Sequence, residues 1–363
     1  MNKDIKYLVL GVCIAFVMLG AFAGAGVSVA SAATWHVDDD LADYPDANFT
    51  KIQDAVDAAS PGDTIIVYPG TYTENVDMNK DHLTIKSESG AETTIVQAAN
   101  PDDHVFEVTA DYVNISGFTV MGAGEYKAGI FISHYLSPRC CNILNNIIHN
   151  NGYGIGASYS GSGSMISHNV IYSNNCGLDL TYFGNSIIAN NIIINNSYYG
   201  IYLWGIDSVN NTITNNNISN NNVGLWVESD NFIYFNNFIN NTENAYSSWH
   251  NIWNSTLKMT YTYNSNQYTN YLGNYWSDYT GSDADGDGIG DTPYSIDGDK
   301  DYYPLMQPWE NYYFAPTKFP VHNLDTGEDF TTIQAAIDDN DRMGIQLLLI
   351  LGLIPRMWTF TSL

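Results

Sequence analysis

Residues 200–222, GIYLWGIDSVNNTITNNNISNNN, decide how this chain folds. Ile201 and Leu203 alternate with Tyr202 and Trp204, the period-2 signature of a strand with one buried face. Ile213 and Ile218 then stand alone among polar residues, and a run of Asn follows each. The same unit recurs on both sides. Segments opening on Gly129, Gly154, Gly177, Gly200 and Gly224 place Ile130, Ile155, Leu178, Ile201 and Leu225 in one apolar column. Ile143, Ile166, Ile188, Ile213 and Ile233 form a second column, and Ile148, Ile171, Ile193, Ile218 and Phe238 a third. The steps run from 20 to 25 residues, so the columns keep register through insertions and deletions. Asn146, Asn169, Asn191, Asn216 and Asn236 make a polar column, and Asn151, Asn174, Asn196, Asn221 and Asn241 another.

A unit of this length cannot bury its apolar face alone. Parallel copies stacked about 4.8 Å apart build a continuous aliphatic core. Asn at one turn position in every coil can bond the coils above and below. Leu83–Ile85, Val105–Val108 and Ile115–Val120 read as earlier, less regular rungs, with Phe118 in the Asn position. About eight rungs give a rod roughly 40 Å long. Such a rod needs caps. Phe49, Ile52, Ala55, Val56 and Ala59 share one face of a short helix that would lid the start. Ser60-Pro61-Gly62-Asp63 ends that helix, and Thr64–Val67 is expected to open the first strand. Residues 246–309 lose the repeat and become rich in Tyr, Trp and Asp.

The repeat resembles the right-handed parallel β-helix of pectin-lyase-like proteins. The opening IQDAVDAASPGDTIIVYPGTYTENV is similar to β-helix starts in surface and carbohydrate-associated proteins. The segment LGNYWSDYTGSDADGDGIGDTPYSIDGDKDYYPL resembles the closing motif of NosD-like surface and periplasmic proteins. The resemblance spans about residues 35–309. It implies an all-β solenoid with an N-terminal capping helix and an Asp/Tyr-rich C-terminal cap. It leaves activity open, because the fold serves lyases, hydrolases, binding proteins and surface scaffolds.

Composition narrows the partners. Asp plus Glu number 39 against 12 Lys plus Arg, a net charge of −27. That balance disfavours nucleic acid and an anionic membrane surface. Lys3 and Lys6 precede an uncharged run from Tyr7 to Trp35, and Ala30-Ser31-Ala32 fits a small-x-small cleavage site. Residues 1–32 are therefore expected to be a signal peptide or an uncleaved anchor, placing residues 33 onward outside the cytoplasm. Cys13 lies in the export segment, and the odd count left by Cys140, Cys141 and Cys176, with one vicinal pair, does not read as a disulfide framework.

The expected organisation is a β-helix over 33–245, a closing segment over 246–309 and a linker over 310–320. A second β-helix start follows at 321–343. Phe330–Asp338 repeats Phe49–Asp57 at six of nine positions. The pattern then collapses into an apolar tail, 344–363. Read one nucleotide earlier, the codons of that tail are compatible with the sequence of Asp63–Asn75, so the expectation is a frameshifted tail. The alternative is a plain apolar tail, too short to span a membrane.

Three constellations bear on chemistry. Asp283, Asp285, Asp287 and Asp291 match the first part of an EF-hand-like loop, which predicts structural calcium. Tyr294 stands where the bidentate Glu belongs, so Asp297, Asp299 and Asp301 are candidates for the missing ligands. Phe131, Gly156, Asp179, Tyr202 and Trp226 form an outward column, and Phe131, Tyr202 and Trp226 are candidate carbohydrate contacts, because flat rings pack on sugar faces. Catalysis has weaker support. Residues 129–245 hold only five acids, Asp179, Asp207, Glu228, Asp230 and Glu243, and one basic residue, Arg139. The NosD-like resemblance raises copper handling, with His134, Cys140, Cys141, His149, His168 and Cys176 as the available ligands. Sequons at Asn48, Asn114, Asn195, Asn210, Asn217, Asn240 and Asn254 permit glycosylation.

The reading that follows is a non-catalytic, exported cell-surface β-helix. It serves as an envelope or adhesion scaffold that binds cell-envelope glycans or other surface proteins and is stabilised by calcium. The alternatives are a polysaccharide lyase or hydrolase centred on Asp179, Asp207 and Arg139, and a NosD-like copper accessory protein.

Overall fold

A computed structural model of the chain describes residues 32–133, 139–159 and 162–314, with short strands at Val321–Asn323, Asp329–Phe330 and Leu347–Leu349 beyond them. The expected export segment, the repeat after Phe330 and most of the apolar tail lie outside the described residues.

Three parallel sheets enclose the core. The first stacks nine strands, from Thr34–Val37 and Thr64–Val67 to Phe232–Tyr234. The second stacks nine, from Gly70–Thr73 to Tyr275–Trp276, and the third eight, from Val76–Met78 to Glu243–Ser247. Each strand pairs with its equivalent one coil away, so the ladders run along the rod and the fold is a right-handed parallel β-helix. The apolar columns pair in the predicted register. Ile130, Ile155, Leu178, Ile201 and Leu225 are consecutive partners, and Ala245 continues them. Ile143, Ile166, Ile188, Ile213 and Ile233 align likewise, as do Ile148, Ile171, Ile193, Ile218 and Phe238. All of these but Ala245 are fully buried. One difference lies at the start. Thr34–Val37 adds a strand outside Thr64–Val67, which was expected to come first.

The turns explain the Asn content. Asn145, Asn190 and Asn215 in one turn, and Asn150, Asn195, Asn220 and Asn240 in another, adopt φ between 53° and 58°. Asn tolerates this left-handed region better than most side chains. The next residue in each case is a ladder Asn that faces inward. Asn169 donates both its backbone N–H (2.9 Å) and its Nδ2 (3.0 Å) to the Asn191 Oδ1, and its Nδ2 also reaches the Ile143 carbonyl (2.9 Å). The pattern repeats from Asn146 to Asn236 and runs on to Asn274. A parallel ladder joins Asn151, Asn174, Asn196, Asn221 and Asn241. A third, not foreseen, joins Ser164, Ser186, Asn211, Asn231 and Asn251. Phe118 occupies the first ladder's position in its coil, its N–H donating to the Asn146 Oδ1 at 3.0 Å.

Both ends are closed. Helix Ile52–Ala58 buries Ile52, Ala55 and Val56 over the first coil. Lys51 supplies no side-chain cap. Instead the Glu74 carboxylate, in the turn between Gly70–Thr73 and Val76–Met78, accepts the N–H groups of Ile52 (2.9 Å) and Gln53 (3.0 Å), complementing the helix dipole. At the other end Phe238, Trp276 and Tyr294 stack with ring centroids 4.4 and 4.2 Å apart, and Trp253 packs beside them at 5.7 Å.

The chain divides into two compact units, Met1–Leu257 with Tyr271–Trp309, and Lys258–Asn270 with Glu310–Leu363. The first is the solenoid and its caps. In the second, Met259–Tyr263 pairs antiparallel with Asn266–Asn270 and with Tyr313–Phe314, and Val321–Asn323 pairs with Asp329–Phe330 and Leu347–Leu349.

Candidate functional site

The outward face of the third sheet carries the predicted column. Glu107, Phe131, Gly156, Asp179, Tyr202, Trp226 and Tyr246 are consecutive register partners. Tyr202 and Trp226 lie 5.0 Å apart, and Trp226 stacks on Tyr246 at 5.6 Å with an 8° interplanar angle. Tyr246 is a member that sequence reasoning missed. Its coil replaces the usual Gly-apolar opening with Asn244-Ala245, so the pattern ended one rung early. Phe131 differs from the others. Its ring stacks on His104 at 4.1 Å and lies over Gly156, where an added Cβ would stand 2.9 Å from it. A second aromatic row flanks the column, with Tyr159 stacked on Tyr182 at 4.1 Å and Trp204 edge-on to Tyr182 at 5.9 Å.

Asp179 sits within the column, between Gly156 and Tyr202. Burial pushes its carboxyl up to about 6. The same carboxylate contributes, after burial, to raising the phenols of Tyr153 and Tyr202. A desolvated carboxylate among aromatic rings is suited to accept hydroxyl hydrogen bonds. Along its column Asp179 has no adjacent carboxylate to make a hydrolytic pair. Its register partners are Gly156 and Tyr202, and Glu107 lies three strands away, about 14 Å. That chemistry needs a separation of about 5–9.5 Å. Asp207 lies exposed in the loop after Trp204, off the column.

The Asp-rich loop is brought together in part. Asp283, Asp285 and Asp287 each offer an oxygen within 4.8 Å of the others. Asp283 is held by the N–H groups of Gly286 (2.8 Å), Asp287 (3.1 Å) and Gly288 (2.9 Å). Asp291 is not part of this group, and its Oδ2 accepts the Ser282 hydroxyl (2.9 Å) and the Ala284 N–H (3.0 Å).

Asp299 and Asp301 are not spare ligands for that loop. They end the Asn ladders. Asp301 is fully buried, and its Oδ2 accepts the Asn274 N–H (2.8 Å) and Trp276 Nε1 (3.0 Å), while its Oδ1 accepts the Tyr303 N–H (3.0 Å). Burial still pushes its carboxyl up to about 6 against these four donated bonds, the Asn274 Nδ2 supplying the longest at 3.4 Å. Asp299 ends the third ladder through the Asn251 N–H (3.0 Å) and also accepts from Ser247 and Trp253. Asp278 serves the second ladder less directly, accepting Asn244 Nδ2 (2.8 Å) while Asn244 Oδ1 accepts Asn241 Nδ2 (3.2 Å).

Among the described residues the soft-ligand set does not assemble, and Cys140 is disulfide-bonded. Cys141 and Cys176 are buried free thiols. Burial pushes Cys141 up to about 12 and Cys176 well above its ordinary value, which keeps both protonated and poor metal ligands. His149 stacks on Tyr172 at 4.8 Å in the second sheet, whereas His168 occupies a turn with its Nδ1 2.7 Å from the Ser167 hydroxyl. Burial lowers both imidazoles. His134 lies outside the described residues. Among the described residues, the groups of three or more His, Cys, Asp or Glu side chains that converge are Asp283, Asp285, Asp287 and Asp38, Asp39, Asp40. Neither contains a soft ligand, so neither of these two groups fits copper. Among them, too, no helix is long and apolar enough to cross a membrane.

Comparison with known proteins finds several that are similar to this chain. A "Cell surface glycoprotein" of Methanothermus fervidus is 39% identical over 104 residues, covering 28% of this chain and 16% of that protein. The chain thus matches only a small part of that relative. Pectate lyase Pel9A is 16% identical with a TM-score of 0.41, over 62% of this chain and 78% of that one. XylC in complex with xylose is 15% identical with a TM-score of 0.49, over 61% and 66%. A family model described as "Periplasmic copper-binding protein (NosD)" matches residues 56–281. That match spans more than half of the chain, which therefore belongs to the NosD family of parallel β-helix proteins.

Proposed function

We propose that the chain is a non-catalytic, exported β-helix of the cell surface whose third sheet holds glycan on its outward aromatic face. The carrying observation is the row Tyr202, Trp226 and Tyr246, continuous over three coils, with the desolvated Asp179 beside it. An aromatic row offers apolar surface on which the C–H faces of sugars can pack, and the carboxylate accepts sugar hydroxyls. The carboxylate spacing along the column supports binding over hydrolysis. The relative's printed name supports a place at the surface. Calcium belongs to the same proposal as a closing ion for the loop of Asp283, Asp285 and Asp287, which offers hard oxygen donors on a tight turn.

The test incubates the purified chain, with Ca²⁺, with a panel of polysaccharides. It scores retention on each polymer and new reducing or unsaturated ends. The expected result is retention on at least one polymer without new ends, lost in the Tyr202→Ala/Trp226→Ala double variant. New ends would overturn the non-catalytic reading. Retention on no polymer, or retention untouched by the double variant, would overturn the glycan face.

A further inference from the structure

The opening of the solenoid carries an acidic group with a different character. Asp38, Asp39 and Asp40 follow the first strand, and each offers a carboxylate oxygen within 4.8 Å of the others. An acidic cluster alone signifies little. Here one member is fully buried, and its Oδ1 has no hydrogen-bond partner. A carboxylate oxygen withdrawn from water and left bare is unfavourable, and such atoms in folded proteins have a partner as a rule. Among the described residues, no lysine or arginine forms an ion pair with any of the three carboxylates.

Each carboxylate is held through one oxygen only. Asp38 Oδ2 accepts the Tyr44 N–H at 2.6 Å, Asp39 Oδ2 the Thr71 N–H at 2.9 Å, and Asp40 Oδ1 the Ala42 N–H at 2.8 Å. Three backbone donors, two from the loop after the first strand and one from the second sheet, thus fix three carboxylates and leave one oxygen of each uncommitted. Gly70 is part of the arrangement. A Cβ there would stand 2.5 Å from the Asp39 carboxyl group, so glycine admits that side chain against the strand.

We propose that Asp38, Asp39 and Asp40 bind a hard divalent cation, calcium or magnesium, that locks the N-terminal cap onto the solenoid. The donor set is oxygen alone, which selects hard cations over copper or zinc. The cation supplies the missing partner of Asp38 Oδ1 and offsets the repulsion among three neighbouring anions. Its site lies at the opposite end of the solenoid from Asp283, Asp285 and Asp287.

The experiment uses the full chain, stripped with chelator, with Asp285→Asn and Asp287→Asn to disable the other acidic group. Ca²⁺ and then Mg²⁺ are titrated by calorimetry and against the thermal melt. The expected result is one bound ion with a Kd of about 10⁻⁴–10⁻³ M, the range of extracellular calcium modules. Adding Asp40→Asn should weaken it at least tenfold and abolish the ion-dependent rise in melting temperature. Asp40 is exposed, and an Asn Oδ1 still accepts the Ala42 N–H, so that variant retains the fold, which its ion-free melt checks. Binding of neither ion in the Asp285→Asn/Asp287→Asn chain, or an affinity unmoved by Asp40→Asn, would overturn the site.

Discussion

Asn191 shows what a single residue does here. Its Oδ1 accepts two bonds from Asn169, and its Nδ2 donates to the Ile166 carbonyl (2.9 Å) and Asn216 Oδ1 (2.9 Å). Asn191→Ala removes four interactions and strands buried groups on both neighbouring coils. The expected loss is about 3–5 kcal/mol of stability, measured by denaturant unfolding, given roughly 1–3 kcal/mol per buried unsatisfied group. A loss under about 1 kcal/mol would mean that water replaces the ladder. Asp301 gives a pH signature. Its folded carboxyl is pushed up to about 6 from an unfolded 3.8, so the folded state binds the proton more tightly. Its charged form therefore costs stability above about pH 6, and the cost is relieved as pH falls through 6 towards 4. His104 acts in the opposite sense, because burial lowers its imidazole to about 4 and acid then favours the unfolded chain. The reading is thus a difference. The stability of the wild type minus that of Asp301→Asn should rise by about 2–3 kcal/mol between pH 7.5 and pH 4. A flat difference would show that the four donated bonds, not burial, govern Asp301.

Within the elements, the aromatic column separates packing from binding. Phe131 is pinned by His104 and covers Gly156, whereas Trp226 has only Tyr202 and Tyr246 as ring neighbours. Phe131→Ala should therefore lower the melt and leave glycan retention largely intact in the folded fraction. Trp226→Ala should cost about 1 kcal/mol of stability but weaken retention about tenfold, or 1.4 kcal/mol. Affinity electrophoresis beside a thermal melt distinguishes the two, and equal effects of both variants on both readouts would rule out this division. The same column shows where sequence reading stops. Its register was legible from Phe131 to Trp226 because the buried partners Ile130 to Leu225 are all large and aliphatic. Tyr246 was lost because Ala245 breaks that signal. Thr34–Val37 was lost because a four-residue strand isolated before a helix has no column of its own until Thr64–Val67 pairs with it. The third ladder was hidden because its rungs change from Ser164 and Ser186 to Asn from Asn211 onward. Asp299 and Asp301 could not be told from loop ligands, since their role depends on which coil lies beneath them, a fact of three-dimensional stacking that spacing does not encode.

At the scale of the molecule, the solenoid is a line of coils, each stabilised by its neighbours, so its ends decide whether the line stays closed. The ends are also where the acids gather. Asp38, Asp39 and Asp40 lie at the start, and Asp278, Asp283, Asp285, Asp287, Asp291, Asp297, Asp299 and Asp301 at the close. The coils from 140 to 257 contain neither Lys nor Arg. With a net charge of −27, self-repulsion opposes the compact state, and simple screening should relieve it. Raising NaCl from about 0.01 to 0.15 M shortens the Debye length from about 30 to 8 Å, so the melting temperature should rise smoothly with salt. Site binding differs from screening. At fixed ionic strength, millimolar Ca²⁺ replacing Na⁺ should raise the melt further, and chelator should reverse the gain. Asp285→Asn/Asp287→Asn should remove the share of that gain due to the closing loop and leave the NaCl response unchanged. If Ca²⁺ gives no more than equal ionic strength of Na⁺, the acidic ends are held by the protein's own donors alone. The carboxylates at the close would then be ladder ends and solvated turns rather than an ion site.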